Sequence, residues 1–450
     1  MSEIVGKEKV LKLLQNMLSY SSADQTEISF MGGNTSLTRF ANNYIHQNVT
    51  ENNTTVKVRS IFGQKIGTAS SNNLAPEALK ELVARAEELA HLQVDDPEFK
   101  SLPGPNPSEI TTPEPDETTY SASAELRANG VAVICRKSAE KGLTASGAFR
   151  TGGSEIGVVN SLGLTAYHRG ANSDLITVIM GESGSGYADR LSPTIAAINA
   201  EEIADEAIGK ALRSQNPRAL EPGEYEVILE EYAVGEMLQY ISYLGMGALA
   251  LQEGRSFMQL DRLLMSPLIT IYDDGSDPQG LVNPFDAEGV ARQRVNLIEQ
   301  GICKAVVYDS YTANREAGKQ NTGHSIGVQG DMGPIPLNLF MEPGDSSKEE
   351  MVKQTKRGLW VTRFHYVNPL IPNKAVLTGM TRDGTFLIED GEIVGPVKNF
   401  RFTQSGVEAL NAVQSLTQTR RLQGAWGGGV GYLVPALKIA RFNFNSATEF

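Results

Sequence analysis

Seven side chains in this 450-residue chain combine metal-ligand, nucleophilic and near-neutral proton chemistry: five histidines and two cysteines. They are His46, His91, Cys135, His168, Cys303, His324 and His365, and the two nearest, Cys303 and His324, stand 21 positions apart. Every short-range zinc, thiol-redox or haem-attachment spacing is therefore excluded. His324 lies in a glycine-flanked segment, NTGHSIG (321–327), where backbone donors and an imidazole could line a groove. His365, in the strand-like RFHYVN, reads as a packed or edge-strand residue.

Other chemistry is thinly represented. Neither GxGxxG nor GxxxxGK[ST] occurs between a strand and a helix, and the cluster Gly424, Gly427, Gly428, Gly429, Gly431 leads into Val434-Pro435 and reads as a structural loop. GESGSG (181–186) does not fit a serine-hydrolase elbow and reads as a turn. The acidic pairs Glu230-Glu231, Asp273-Asp274 and Glu389-Asp390 each close an expected strand, where solvated acids are common.

The elements that must position these residues alternate without a regular βαβ cadence, which predicts an α+β fold. Val10, Leu11, Leu14 and Leu18 make the apolar stripe of a helix over 6–20. Residues 26–68 alternate β-branched and aromatic residues with polar ones, bounded by Gly32-Gly33 and Gly63, which predicts antiparallel strands joined by tight turns. A helix follows over about 75–91, with Pro76 in its first turn. The Pro-rich stretch 94–119 is an extended connection. Beyond it come a helix (121–141), a strand-rich stretch (143–188) and a helix (195–214). Pro217, Pro222 and Gly223 then mark an expected boundary between domains at 1–218 and 219–450.

The second half predicts a strand at 224–229, a helix carrying Val234, Met237, Leu238, Ile241 and Leu244, and strands at 267–274, 295–309 and 359–368. Gln300-Gly301 suggests a hairpin, and Asp390-Gly391 within 384–397 suits a type I′ turn. A helix at 404–418 and a terminal strand, LVPALKIARFNF, complete the chain.

With 40% hydrophobic and 21% charged residues the chain can bury a sizeable core. Its net charge of −13 opposes nucleic-acid binding, since no run of Lys and Arg neutralises phosphates. No apolar run reaches the ~18 residues that suggest a membrane span, and MSEIVGKEKVLKLLQNML has charges where a signal peptide is apolar. Two distant cysteines fit a reducing compartment, so the cytoplasm is the expected location.

The segment GNTSLTRFANNYIHQN (33–48), followed by TTVKVRSIFGQKIGTASSNNL, resembles the N-terminal signature of the TldD/PmbA proteins, once called modulators of DNA gyrase. GRSFM, PLITIYDDG, PFDAEGVARQRVNLIEQGICKAVVYDSYTA, NTGHSIG, TRDGTFLIEDGEIVGPVKNFRFTQS and VPALKIARFNF continue the likeness in order through nearly the whole chain. The resemblance implies two α+β domains with largely antiparallel, strongly curved sheets. It also implies a metallopeptidase complex that takes unfolded peptides. In such complexes TldD-type chains carry a zinc site from a helical HExxxH motif and a C-terminal cysteine. PmbA-type chains, also called TldE, lack those ligands and join TldD.

Counted back from the anchor Gly254-Arg255-Ser256-Phe257, the two histidine positions fall near Gln239 and Leu244 and the glutamate near Tyr240, while the Gly-x-Cys-Gly of TldD-type chains resembles Gly424-Ala425-Trp426-Gly427 with Trp426 in place of the cysteine. Residues 224–258 contain no histidine. Thr322-Gly323-His324 resembles the TGH of PmbA-type chains, where TldD-type chains usually have TGN. The resemblance thus implies a PmbA/TldE-like subunit with no catalytic or metal-binding residue of its own, no cofactor, and zinc on a TldD-type partner. Asn321, Thr322, Gly323 and His324 are then candidates for the wall of a peptide groove. Two other readings follow from the same residues: an active hydrolase with ligands gathered from His324, His365 and distant acids, and a homodimeric binding or scaffold protein.

Overall fold

The computed structural model describes residues 6–110, 112–327, 332–424 and 430–448. Its architecture is α+β, built on two sheets. Six antiparallel strands form the first, in the order β3-β2-β1-β4-β5-β6: β1 (Gln25–Ala41), β2 (Tyr44–Phe62), β3 (Lys65–Ser71), β4 (Thr144–Asn160), β5 (Thr165–Met180) and β6 (Ser185–Ser192). Helices α1 (Lys7–Leu18) and α2 (Pro76–His91) pack on it through Val10, Leu14, Leu82, Val83 and Ala86. The short α3 (Glu117–Tyr120) leads into α4 (Ala124–Glu140), which with α5 (Ala200–Arg213) covers another part through Val131, Ile134, Ile203 and Ala207.

One expected turn is displaced. Gly32-Gly33 lies inside the continuous 17-residue β1, and the chain reverses instead at Asn42-Asn43, whose φ of 52° and 64° match a type I′ hairpin. The two glycines are needed for close packing. A Cβ on Gly33 would lie 2.4 Å from the Gly153 carbonyl oxygen, and Gly153 itself abuts the Tyr120 ring. Gly63, at φ +60°, makes the tight turn between β2 and β3 as expected.

Eleven strands make the second sheet: β7 (Gly223–Leu229), β8 (Ile271–Asp273), β9 (Val295–Glu299), β10 (Ile302–Cys303), β11 (Leu339–Met341), β12 (Arg357–Ile371), β13 (Val376–Glu389), β14 (Glu392–Pro396), β15 (Phe400–Ser405), β16 (Val413–Gly424) and β17 (Gly431–Ala447). Because β7 pairs with β12 on one side and β17 on the other, the path β17-β15-β13-β12-β7 closes on itself. Within that closed path no strand is left as an open edge that would invite pairing with another chain. Phe364, Phe400, Phe402, Phe442 and Phe444 pack ring to ring in this half, with centroids 4.5–5.6 Å apart. Helix α6 (Glu231–Gly245) packs against β12 and β17.

The hairpin at Asp390-Gly391 has φ of 48° and 83°, as a type I′ turn requires. The helix expected over 404–418 stops at Asn411, and Val413 begins β16. There, pairing with β17 from Val413↔Ile439 to Gly424↔Gly431 overrides local helix preference.

A buried ionic seam joins the two halves. Lys210 of α5 contacts Glu206 at 2.9 Å and Glu230, just before α6, at 2.8 Å. The other Glu230 oxygen accepts from Trp360 Nε1 (2.6 Å) and Thr362 Oγ1 (3.1 Å). Arg421 of β16 reaches Glu206 at 3.1 Å and also binds the Tyr232 hydroxyl. Asp189 of β6 accepts from Tyr187 Oη at 2.6 Å, and burial lifts its carboxyl to about 6.

Two outcomes follow from the seam. Lys210→Ala leaves buried Glu230 with Lys348 at 3.9 Å as its nearest cation, and urea unfolding should show a loss of about 3 kcal/mol. Asp189 has a raised folded pKa, so its contribution is complete below the ordinary pKa of 3.8 and is lost as pH rises through about 6. Asp189→Asn should therefore gain in melting temperature relative to the parent between pH 4.5 and 7.5, as scanning calorimetry would record.

Candidate functional site

Helix α6 is apolar nearly all round, and its buried positions include Met237, Leu238, Ile241 and Leu244. Such a helix belongs inside a core. Gln239 shares a face with Gly235 and Ser242 by the i, i+4, i+7 rule. That face meets the paired strands β16 and β17, where a Cβ on Gly235 would lie 2.9 Å from the Gln423 side chain, and Ser242 gives its hydroxyl to the Gln239 carbonyl at 2.8 Å. The fold thus brings Gln239 toward the paired strands β16 and β17, and Trp426 lies outside the described residues.

These positions do not fit a zinc ion. Gln239 offers a neutral carboxamide, Leu244 is hydrocarbon packed into the main core, and Tyr240 donates its hydroxyl to the Val367 carbonyl at 2.5 Å. Zinc needs about three protein donors of the histidine, thiolate or carboxylate type. Among the described residues no group of three or more His, Cys, Asp or Glu side chains could hold a metal. Glu236, one turn before Tyr240, is pushed up to about 7 by burial, partly offset by Arg363.

The 321–327 loop is built around His324, which has no solvent exposure. Its Nε2 lies 2.9 Å from Asp273 Oδ1 and its Nδ1 2.9 Å from Thr322 Oγ1. Burial drives the imidazole below its usual pKa despite Asp273, so at neutral pH it is uncharged. It then donates Nε2–H to the carboxylate, and Nδ1 accepts the threonine hydroxyl. Burial opposes the charge on Asp273, yet His324, Arg292 and the Asn338 N–H together hold its pKa below the ordinary value. Tyr308 N–H donates to the same Thr322 oxygen at 2.8 Å. Gly323 adopts φ +77°, and a Cβ there would lie 2.5 Å from the Ala291 carbonyl oxygen.

Asp273-Asp274 and Glu230-Glu231 were expected to be solvated. Instead Asp273 is fully buried, while Glu230 and Glu231 are 1% and 3% exposed. Their partners His324, Lys210 and Lys348 are remote in sequence, so local spacing carries no sign of the burial.

A cavity of ≈ 410 Å³ opens beside this loop, between β2, the Pro-rich connection and the second half. Ser325 and Gly327 line it, whereas Asn321 reaches its wall by donating to Ser310 Oγ (2.8 Å) and Glu288 Oε2 (3.4 Å). Thr322 and His324 turn instead toward Tyr308 and Asp273. His365 sits on β12 opposite Met380 and is not among the cavity residues. Arg59, Glu288, Asp309 and Ser310, which line the cavity, carry no local motif and escaped the sequence reading.

Residues 222–446 match the PmbA/TldA metallopeptidase C-terminal domain, and residues 26–90 match PmbA/TldA metallopeptidase domain 1. The chain belongs to the PmbA/TldD family. Metalloprotease PmbA of Escherichia coli O157:H7 is 25% identical over 347 residues, 74% of this chain and 73% of that protein. Metalloprotease MJ0996 of Methanocaldococcus jannaschii is 26% identical over 237 residues, 52% of each protein, so the match spans about half of that relative. The crystal structure of TldE from Thermococcus kodakarensis superposes with a TM-score of 0.88 at 21% identity, covering 97% of this chain and all of that one. At that identity the likeness establishes the fold. No helix among the described residues is long and apolar enough to cross a membrane.

His324→Ala leaves Asp273 buried without its imidazole donor, a loss of about 2–3 kcal/mol for a hydrogen bond to a charged group. Urea denaturation should show that loss, and native-state hydrogen exchange should place faster opening at 321–327.

Proposed function

We propose that this chain is a PmbA/TldE-like subunit of a TldD/TldE-type zinc peptidase complex, and that it binds and encloses unfolded peptide while its TldD-type partner holds the zinc and performs the hydrolysis. The observation that carries the reading is the chemistry at the positions of the zinc motif. Gln239, Tyr240 and Leu244 occupy a helix that the fold retains, yet they are a carboxamide, a phenol bonded to Val367 and a core hydrocarbon. Taken as the family's zinc positions, these side chains supply no ligand set, which supports a role in which the partner performs the hydrolysis.

A peptide-handling role is supported by the cavity at the junction of the halves, with Asn321 at its edge and Ser325 and Gly327 in its wall. Such a subunit needs shape, polar backbone groups and a partner, and no metal of its own. A cytoplasmic heterodimer is the proposed working form.

Co-expression with the TldD-type chain of the same organism should yield a complex with chelator-sensitive peptidase activity. The chain purified alone should be inactive on the same unfolded peptide at any zinc concentration. Zinc-stoichiometric, chelator-sensitive hydrolysis by the single chain would overturn the proposal. A chain that self-associates and never captures the TldD-type subunit would overturn the heterodimer.

A further inference from the structure

We infer that the ≈ 410 Å³ cavity is a recognition site for the free amino terminus of a peptide, holding its α-ammonium group between Asp309, Glu288 and Ser310 and its first carbonyl at Arg59. This rests on the peptide-binding reading and narrows it to one end of the ligand.

The argument begins with acceptors left over after the protein has satisfied itself. Asp309 uses Oδ1 to accept from Thr312 N (2.8 Å) and Oγ1 (2.6 Å), while its Oδ2 has no hydrogen-bond partner among the described residues. Glu288 gives Oε1 to Arg59 at 3.1 Å, but its Oε2 receives only two longer contacts, from Ser310 N at 3.2 Å and Asn321 Nδ2 at 3.4 Å. Ser310, next to Asp309 in sequence, also lines the cavity, and its Oγ, which accepts from Asn321 Nδ2 at 2.8 Å, adds a third oxygen. An ammonium group has three N–H donors and one positive charge, so it suits this combination.

The charge balance behind the wall points the same way. Glu27 and Glu288 share Arg59, Lys57 Nζ donates to the Gly327 carbonyl at 2.5 Å, and Asp286, beside Arg292, is pushed up to about 8 by burial, which leaves Asp309 as the carboxylate with no ion-pair partner among the described residues. No group among the described residues is arranged to hold a metal ion. A single positive charge therefore matches this one unpaired carboxylate better than a divalent ion does.

Arg59 supplies an independent requirement of opposite sign. It lines the cavity with its side chain 11% exposed, and its Nη2 is taken by Glu27 and Glu288. Its Nε is buried and has no partner. A buried donor without an acceptor is costly and calls for a ligand oxygen or a water. An N-terminal residue carries a cation and a carbonyl oxygen two bonds beyond the same α-carbon, which is the pairing this wall lacks. Phe99, Leu249 and Tyr311 offer apolar surface for its side chain. At the rim, Arg315 is engaged by Glu98 at 3.6 Å and Lys100 by the Pro97 carbonyl at 3.0 Å, so neither cation is free to oppose an entering ammonium.

Isothermal titration of the full-length chain tests the inference with two probes, Leu-Ala-Leu-Ala amide with a free amino terminus and its N-acetyl form. The free peptide should bind at least tenfold more tightly, and Asp309→Asn should erase the difference. Asparagine retains the helix-capping role, so that variant keeps the local fold. Ser310→Ala gives a second arm, with a partial loss of preference expected. Equal binding of both probes overturns the terminus inference and leaves peptide binding standing. A preference that persists in both variants places recognition elsewhere and also overturns it. Binding of neither probe overturns the inference together with the peptide-binding reading.

Discussion

The contact between Lys210 and Glu230 governs how the two halves of this protein meet. Both side chains are almost entirely buried, on opposite sides of the seam, and Glu230 also receives donors from β12. Taking two charges out of water costs several kcal/mol each, and their attraction recovers this only in good geometry. Such a pair contributes less to net stability than to register, because any displacement leaves a buried charge unpaired. Glu230 immediately precedes α6 and Glu231 opens it, so the seam that aligns the halves also sets where the helix begins. Everything that α6 presents farther along, Gln239 included, inherits its position from that alignment.

The first sheet and its helices were readable because their signals are local. The stripe of Val10 and Leu14, the alternation through β1 and β2, and the type I′ chemistry of Asp390-Gly391 each act over a few residues. What failed to show is long-range. Gly32-Gly33 looked like a turn because the reason for Gly33 is the backbone of β4 at Gly153 and Ser154, remote in sequence. Val413 to Gln418 looked helical because their strand partners lie beyond residue 430. The same limit applied to the acids: Asp273 and Glu230 look like solvated residues until His324 and Lys210 arrive from elsewhere in the chain.

His324 illustrates how a residue singled out by a motif takes its place through packing. Its surroundings, Asp273 on one nitrogen and Thr322 on the other, are a hydrogen-bond relay in a site without solvent. The relay fixes the loop, and Gly323 lets that loop lie against the backbone at Ala291. Ser325 and Gly327 are thereby held in the cavity wall, so the histidine shapes the cavity from behind it.

The way α6 holds its place has a physical basis. A structural zinc supplies folding free energy outright, and a domain built on one unfolds when the ligands are removed. A helix that is apolar nearly all round draws its stability from burial instead, at roughly 25 cal/mol for each Å² of apolar surface removed from water. Leu244 joins the main core, and Tyr240 gives its hydroxyl to a carbonyl of β12. At those two positions the side chains present are better suited to an interior without metal than an imidazole or a carboxylate would be, since either would bury a polar group in need of partners. Gln239, Tyr240 and Leu244 thus hold α6 in place through packing and hydrogen bonding and need no metal to do so, as the proposed role requires.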